Sequence, residues 1–219
     1  MTTAIIGVGN VGSAVARHLV SGDEPVVLAA KDEPNAKALA DELGPLARSA
    51  SVEDAIAAGE AVVFAVWLDT TKELVANYSQ LLEDKVVVDP SNPLGFDESG
   101  QMIRTLPDGQ SAGSIVAALL PASAHYVKAF GTLAAEALGG SANRDPHAVL
   151  FYATDDDAAA STIERLIRAA GFDPFKVGGV AEAGRIEMPG GDLHQAGMNG
   201  AVLNLDEAAA AVAAGKVPA

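Results

Sequence analysis

This chain of 219 residues contains no cysteine, few aromatic residues and few basic residues. The absence of cysteine excludes disulfide bonds, thiolate metal ligands and thiol catalysis, and it fits a reducing compartment. Lysine and arginine together number 14 against 29 acidic residues, which gives a formal net charge of -15. A field of that sign repels nucleic acid and anionic membrane surfaces, so we expect neither as a partner.

Long apolar runs are also missing. No stretch reaches the roughly 18 residues that a membrane-spanning helix needs, and no basic leader precedes the first strand-like run near Met1. We therefore expect a cytoplasmic protein.

Aromatic residues make up only 5% of the chain although 49% is hydrophobic. Alanine and valine dominate, and they suit close packing of helices on a sheet.

The most informative motif present is the glycine-rich turn Gly7-Val8-Gly9-Asn10-Val11-Gly12. It follows the strand-like run Ala4-Ile5-Ile6 and opens a helix-like run. Unpaired N–H groups and the helix dipole make such a helix start an anion site. The first glycine permits the turn, the second lets a pyrophosphate approach the backbone, and the third allows close helix packing. This context predicts a dinucleotide site.

Strand-like and helix-like runs alternate along the chain, which predicts an α/β fold: a doubly wound, mainly parallel sheet of the Rossmann type. Residues 1–140 are expected to bind the nucleotide, and residues 141–219 to form a smaller α/β lobe over the cleft. Residues 91–113 are expected to be loop. The predicted strands cover residues 3–6, 25–29, 46–49, 61–67, 85–89, 125–130, 148–154 and 174–177. The predicted helices cover residues 11–20, 35–43, 52–58, 71–82, 112–120, 133–138, 157–170 and 205–214.

The residues after the second strand bear on the choice of nucleotide. An NAD site usually has an acidic residue there, whereas this chain has Ala29-Ala30-Lys31. Ala30 leaves room for a 2′-phosphate, and Lys31 supplies a countercharge. Asp32 follows directly, and it favours NAD if its side chain points inward. The sequence favours NADP(H). The simpler alternatives to a functional role are that Lys31 is a solvated lysine and that Asp32 is only the first residue of a helix.

Four segments resemble a known family. They are AIIGVGNVGSAVARHL near the start, VVVDPSNPLG at residues 86–95, YVKAFGTLAAEAL at 126–138 and GFDPFKVGGVAEAGRIE at 171–187. The chain resembles the NADP oxidoreductase family that includes coenzyme F-420-dependent NADP reductase and the cytoplasmic domain of the Steap metalloreductases. The resemblance implies NADP(H) binding, hydride transfer to a small-molecule redox partner such as coenzyme F-420 or a flavin, and a homodimer.

The resemblance also implies which loops line the nicotinamide side. They are the loop after the fourth strand, with Ala65, Val66 and Trp67, and the loop after the fifth, with Asn92 and Pro93. Both loops follow strand carboxyl ends, where open α/β sheets bind ligands. The simpler alternatives are that Trp67 fills space under its loop and that Asn92-Pro93 is only a turn.

The acceptor side is expected at Phe130-Gly131-Thr132 and at Gly190-Gly191. Relatives commonly have asparagine or another polar residue in place of Gly131, so its absence is expected to enlarge the site or remove a hydrogen bond. Relatives often have bulky apolar residues where this chain has the turn around Gly190. The acceptor could therefore differ from the deazaflavin.

Two other functions are compatible with the sequence. A reductase of a small carbonyl or imine needs a proton donor, for which His125, Tyr126, Lys128 and His194 are candidates; ordinary packing or surface exposure is the preferred interpretation of all four. The second alternative is a non-catalytic NADP(H)-binding sensor.

For the function that the resemblance implies, no catalytic residue is assigned, because hydride transfer to a flavin-type ring needs little from side chains.

Two further motifs are interpreted as helix starts. Gly109-Gln110-Ser111-Ala112-Gly113 matches a hydrolase nucleophile elbow, but the preceding segment is polar and contains Pro107. Ser111 is therefore predicted to be an N-cap. Asp155-Asp156-Asp157 opens a helix, where carboxylates cap N–H groups. The four histidines show no ligand spacing, so no metal site is predicted.

Overall fold

Short apolar strands form the centre of the sheet. In the computed structural model, which describes residues 1–215, strands β1, β2, β4 and β5 are buried at every position, as expected when helices cover both faces of a parallel sheet. The strands are β1 Thr3–Ile6, β2 Val26–Ala29, β3 Ala47–Ser49, β4 Ala61–Phe64, β5 Val86–Asp89, β6 Leu94–Phe96, β7 Met102–Arg104, β8 His125–Lys128, β9 Val149–Ala153 and β10 Asp173–Gly178.

The helices lie between these strands. They are α1 Asn10–Ser21, α2 Glu33–Leu43, α3 Val52–Ala58, α4 Leu68–Asn77, α5 Ala112–Leu119, α6 Ala135–Gly140, α7 Asp157–Ala169 and α8 Leu205–Ala214, with 3-10 helices at Ser79–Leu82 and Val180–Ile186. Side chains alternate across the strands: Ile5 belongs to a core cluster with residues of α1, α2 and α7 on one face, and Ile6 to a second cluster with residues of α3, α4 and α5 on the other. Within residues 1–215, no helix is both long and apolar enough to cross a membrane.

The sheet has the order β10-β9-β8-β5-β4-β1-β2-β3. From β3 to β8 all neighbours are parallel, in the order of a Rossmann fold, which confirms the predicted fold class. Strand β9 is antiparallel to β8, through the pair Lys128 and Ala153, whereas β10 is parallel to β9. The carboxyl ends of β9 and β10 therefore lie at the edge of the sheet opposite to the ends of β1, β4, β5 and β8.

Three sequence predictions need correction. Strand β4 ends at Phe64 rather than at residue 67, because the chain turns at once and the N–H of Val66 binds the Phe64 carbonyl at 2.8 Å. Helix α4 accordingly begins at Leu68 rather than at residue 71. The expected loop 91–113 contains the antiparallel hairpin β6–β7. Strands β9 and β10 continue the main sheet, and the division of the chain at residue 140 stays a prediction.

Candidate functional site

The glycine turn joins β1 to α1 under close packing. Gly7 has a φ of +98°, and a Cβ on it would lie 2.4 Å from the carbonyl oxygen of Ala65. A Cβ on Gly12 would lie 1.9 Å from the carbonyl oxygen of Gly7. Gly7 is therefore required because the turn lies against the loop after β4, and Gly12 because the start of α1 lies against the turn.

Gly9 differs from these two glycines. Its φ is -69°, and no atom of residues 1–215 other than its chain neighbours lies within 4 Å of where its Cβ would stand. The carbonyl of Gly9 accepts the hydrogen bond from Ser13 N at 2.8 Å, whereas the N–H groups of Asn10, Val11 and Gly12 bind no acceptor in the described part of the chain. No side chain caps α1, and its first turn carries no acidic residue. The fold therefore leaves at Gly9 an open cradle of N–H donors that fits a phosphate group.

An open cleft of about 480 Å³ adjoins this cradle. Val8, Gly9 and Asn10 form one side of it, and Ala135 and Glu136 of helix α6 form the other. The turn thus borders solvent-filled space on the side of the sheet that carries α1.

Lys31 and Asp32 are both exposed beyond the end of β2, and Ala30 is half-buried. Asp32 occupies the N-cap position of α2, and its Oδ2 accepts a hydrogen bond from Asn35 Nδ2 at 2.8 Å. Among residues 1–215, Lys31 forms no ion pair. Asp32 is thus engaged at the start of α2, while the charge of Lys31 is available to a ligand.

Trp67 lies on the surface at the carboxyl edge of the sheet. It is the N-cap residue of α4 and is 58% exposed, so the simpler alternative, that it fills space under its loop, is wrong. Ala65 and Val66 before it are half-buried. The Trp67 ring meets Phe96 of the β6–β7 hairpin edge to face, and Phe96 is 57% exposed. The two rings present an apolar surface beside the predicted nicotinamide side.

Asn92 bridges three segments of the chain. Its Nδ2 donates to the carbonyl of Gly131 at 3.1 Å, and its Oδ1 accepts from Met188 N at 2.9 Å. Pro93 is buried, and its carbonyl accepts from Thr105 N at 2.9 Å. The loop after β5 is therefore more than a turn, because it connects the loop after β8 with the segment that follows the second 3-10 helix.

The residues expected on the acceptor side are mostly buried. Phe130 is fully buried in the core with a φ of +63°, and Thr132 is 1% exposed. A Cβ on Gly131 would lie 2.3 Å from the carbonyl oxygen of Pro90, so the contact between the two loops requires glycine. The expectation that this glycine enlarges the site or removes a hydrogen bond stays a prediction. A Cβ on Gly191 would lie 2.3 Å from Glu187 O, whereas Gly190 is exposed and faces open space.

The four candidate proton donors are engaged within the protein. His125 pairs with Asp156 at 2.7 Å at the opposite edge of the sheet. His194 is 2% exposed, burial lowers its pKa to about 4, and its Nδ1 accepts from Ala196 N at 3.0 Å. Burial raises the pKa of the Tyr126 hydroxyl, and Lys128 is also buried. None of these four arrangements supplies a proton to the predicted nicotinamide side.

Sequence reasoning missed a buried group of charges, which we call the ion cluster: Asp89, Tyr126, Lys128 and Glu187. Lys128 Nζ lies 3.0 Å from Asp89 Oδ2 and 3.3 Å from Glu187 Oε1, and the Tyr126 hydroxyl donates to Asp89 Oδ2 at 2.8 Å. A partial signal exists, because Asp89 is a charged residue at the end of the apolar strand β5. Glu187 lies at the end of the segment 171–187 that resembles the family, but nothing local assigns it to a buried group of charges.

The two other motifs are helix starts, as predicted. The Ser111 hydroxyl accepts from Ser114 N at 3.0 Å and caps α5. The Asp156 carboxylate accepts from Ala159 N at 2.8 Å and caps α7.

Comparison with known proteins agrees with this geometry. Residues 2–93, from β1 through the loop with Asn92 and Pro93, match the family described as NADP oxidoreductase, coenzyme F420-dependent. The metalloreductase STEAP3 of Rattus norvegicus is 30% identical over 183 residues, which are 84% of this chain and 35% of that protein. Over these residues the chain is similar to a family of NADP-dependent oxidoreductases. These similarities confirm the resemblance that the sequence indicated, and the chain spans only about a third of that curated relative's length.

Two solved structures are similar along most of the chain. The hypothetical protein SMa0349 from Sinorhizobium meliloti is 28% identical with a TM-score of 0.79, over 93% of this chain and 95% of that one. A candidate F420-dependent NADP reductase from Arthrobacter sp. FB24 is 26% identical with a TM-score of 0.71, over 84% of this chain and 87% of that one. Both structures support the Rossmann-type fold of this protein.

Proposed function

We propose that this protein binds NADP(H) at the glycine turn and transfers hydride between it and a planar redox partner, a deazaflavin such as coenzyme F-420 or a flavin. The observation that carries the proposal is the open N–H cradle at Gly9, in a chain whose first 93 residues match an NADP oxidoreductase family. The candidate function of the Arthrobacter relative supports coenzyme F-420 as the partner.

The preference for NADP(H) over NAD(H) is supported by the end of β2. A 2′-phosphate needs space and a cation. Ala30 supplies the space, and the exposed Lys31 supplies a charge that forms no ion pair within residues 1–215. Asp32 Oδ2 accepts from Asn35 at the start of α2, so part of its carboxylate is engaged within the protein.

Hydride transfer to a conjugated ring asks for orientation rather than for acid–base chemistry. When it is bound, the nicotinamide supplies the hydride. The N–H groups of the glycine turn hold the phosphates, and the loops after β4 and β5 orient the ring. Trp67 and Phe96 offer the partner an apolar surface and exclude water from the edge of the site.

A small carbonyl or imine substrate is less well supported. Its reduction requires a proton donor beside the acceptor atom. Tyr126, Lys128 and His194 are buried and bonded internally, and His125 lies at the far edge of the sheet. The arrangement therefore favours a partner that needs no proton from a side chain.

The test is a spectrophotometric assay of the purified protein with NADPH and oxidised coenzyme F-420 or a flavin, with NADH as the control. Loss of both chromophores with NADPH, and much slower loss with NADH, is expected. Tight NADPH binding without turnover of either ring would contradict the proposed partner and favour the NADP(H) sensor. Absence of NADPH binding would contradict the whole proposal.

We also propose a homodimer, as the family resemblance implies, and a location in the cytoplasm, as the sequence led us to expect. Light scattering on the eluting protein tests the first statement, since a mass near twice 22.1 kDa is expected. Fractionation of cells that produce the full-length protein tests the second.

A further inference from the structure

The ion cluster lies where two neighbouring strands end beside the candidate site. Asp89 ends β5 and Lys128 ends β8, and the two residues are direct partners in the sheet. Lys128 Nζ donates hydrogen bonds to Asp89 Oδ2 and to the carbonyl of Ser91, and Glu187 Oε1 lies 3.3 Å away as a second ion-pair partner. The side chain of Lys128 is 2% exposed, so its charge is compensated inside the protein.

Both carboxylates are also fully bonded. Asp89 accepts from Ser91 N through Oδ1, at 2.8 Å, and from Tyr126 and Lys128 through Oδ2. Glu187 accepts from Gly113 N at 2.8 Å and from Ala112 N at 2.9 Å. These two N–H groups open helix α5, whose dipole offsets the second negative charge of the cluster.

The ion cluster holds the loop of residues 90–93 through hydrogen bonds to the backbone of Ser91. Lys128 binds the carbonyl of Ser91, and Asp89 binds its N–H. Glu187 connects this arrangement to the segment whose next residue, Met188, binds Asn92. A loop that carries two predicted nicotinamide-side residues is therefore held through charged contacts that lie outside the cleft.

Stability alone does not account for a buried cluster of this kind. Replacing buried ion pairs with well-packed apolar residues is often neutral or stabilising. Charged hydrogen bonds are directional, however, so donors and acceptors that are all satisfied define one arrangement of the backbone. The ion cluster is therefore suited to fixing the position of the 90–93 loop relative to the sheet.

We infer that Lys128 is a positioning residue: through Ser91 it sets the place of the 90–93 loop and thereby of the nicotinamide ring, without touching the cofactor. The inference rests on the proposed NADP(H) function. A merely structural lysine would contribute to stability and leave the site's preference for a nicotinamide ring unchanged.

The experiment compares the affinity of the full chain for NADPH with its affinity for 2′-phospho-ADP-ribose, which lacks the nicotinamide. In Lys128→Met we expect the dissociation constant for NADPH to rise about tenfold, the effect of one lost hydrogen bond, while that for the fragment is unchanged. The ratio of the dissociation constant for the fragment to that for NADPH therefore falls about tenfold. Tyr126→Phe, which leaves the contact between Lys128 and Ser91 in place, is expected to keep most of the ratio.

The control for stability is Tyr152→Phe. It removes a 2.5 Å hydrogen bond to Glu164 between β9 and α7, and we expect it to lower the melting temperature without changing the ratio. If Lys128→Met does not fold, Lys128→Gln replaces it, because it removes the ammonium group while keeping a polar side chain, and the same fall in the ratio is expected.

The outcomes separate this inference from the proposed function. A wild-type protein that binds neither ligand contradicts the proposed function. A wild-type protein that binds NADPH and the fragment equally, or a folded Lys128→Met protein with the wild-type ratio, overturns the role of Lys128 and leaves NADP(H) binding in place.

Discussion

Trp67 and Phe96 meet edge to face, with ring centroids 6.3 Å apart and planes at 78°, although each ring is more than half exposed. The pair joins the loop after β4 to the β6–β7 hairpin. Thr105, which follows the hairpin, binds the carbonyl of Pro93, and Arg104 donates to the carbonyl of Pro189 at 3.0 Å. The hairpin thus brings an aromatic surface to the mouth of the candidate site.

The first prediction concerns this aromatic pair. Trp67→Ala is expected to lower kcat/KM for coenzyme F-420 or a flavin by about fivefold, because ring stacking contributes about 1 kcal/mol, while the affinity for NADPH stays within about twofold. Steady-state kinetics and a fluorescence titration measure the two quantities. Leu119→Ala is the matched control, since Leu119 is a 45% exposed apolar residue at the end of α5. Equal losses in both variants would argue against a partner surface at Trp67.

The second prediction contrasts two glycines of one turn. Gly9→Asp is expected to abolish NADPH binding and leave the melting temperature nearly unchanged, because its side chain enters open space where the phosphates are proposed to bind. Gly12→Ala is expected to destabilise the fold itself, since its Cβ would meet Gly7 O at 1.9 Å. Thermal unfolding and NADPH titration distinguish the two effects. Unchanged NADPH affinity in a folded Gly9→Asp protein would exclude this turn as the phosphate site.

The third prediction concerns Lys31. Lys31→Ala is expected to weaken NADPH binding about tenfold, the effect of one exposed charge-assisted contact to phosphate, and to leave NADH binding unchanged. Lys37→Ala is the control, because Lys37 is a nearby lysine that pairs with Asp41 at 2.6 Å. Titration of each variant with both nucleotides gives the comparison. A selective loss of NADH binding in Asp32→Ala would instead assign the nucleotide preference to Asp32.

The fourth prediction is a dependence of stability on pH through His194. Burial lowers its folded-state pKa to about 4, below the ordinary value of 6.5, so the unfolded chain binds more protons between these two values. The stability contributed by neutral His194 is therefore present above about pH 6.5 and is lost as the pH falls toward 4, by up to about 3 kcal/mol.

The measurement is denaturant unfolding at pH 7 and pH 5. His194→Asn retains an acceptor for Ala196 N and does not titrate. The free energy of unfolding of this variant is therefore expected to fall less from pH 7 to pH 5 than that of the wild type. The difference between the two proteins isolates His194 from the many carboxylates of the chain. Identical pH dependence would show that His194 is not held neutral.

Much of the candidate nucleotide site follows from local sequence. Apolar runs such as Ala4-Ile5-Ile6 form strands because both faces of the sheet are covered, and a glycine turn between a strand and a helix produces unpaired N–H groups whatever the rest of the chain does. Helix ends marked by Ser111 and Asp156 were predictable for the same reason, since a cap involves residues within one turn. The parallel order of the sheet follows from the alternation of strands and helices.

Tertiary structure alone decided the features that depend on distant residues. Gly131 is required because the backbone of Pro90 passes close to it, and Glu187 enters the ion cluster because a 3-10 helix returns the chain to the start of α5. The antiparallel placement of β9 beside β8 has no local signal, and the short hairpin strands at Phe96 and Met102 show no periodicity. The sequence by itself determined the turn that is proposed to hold phosphate. Which side chains surround the predicted nicotinamide side was decided by contacts between loops that are far apart along the chain, because such contacts form only when the sheet brings the strand ends together.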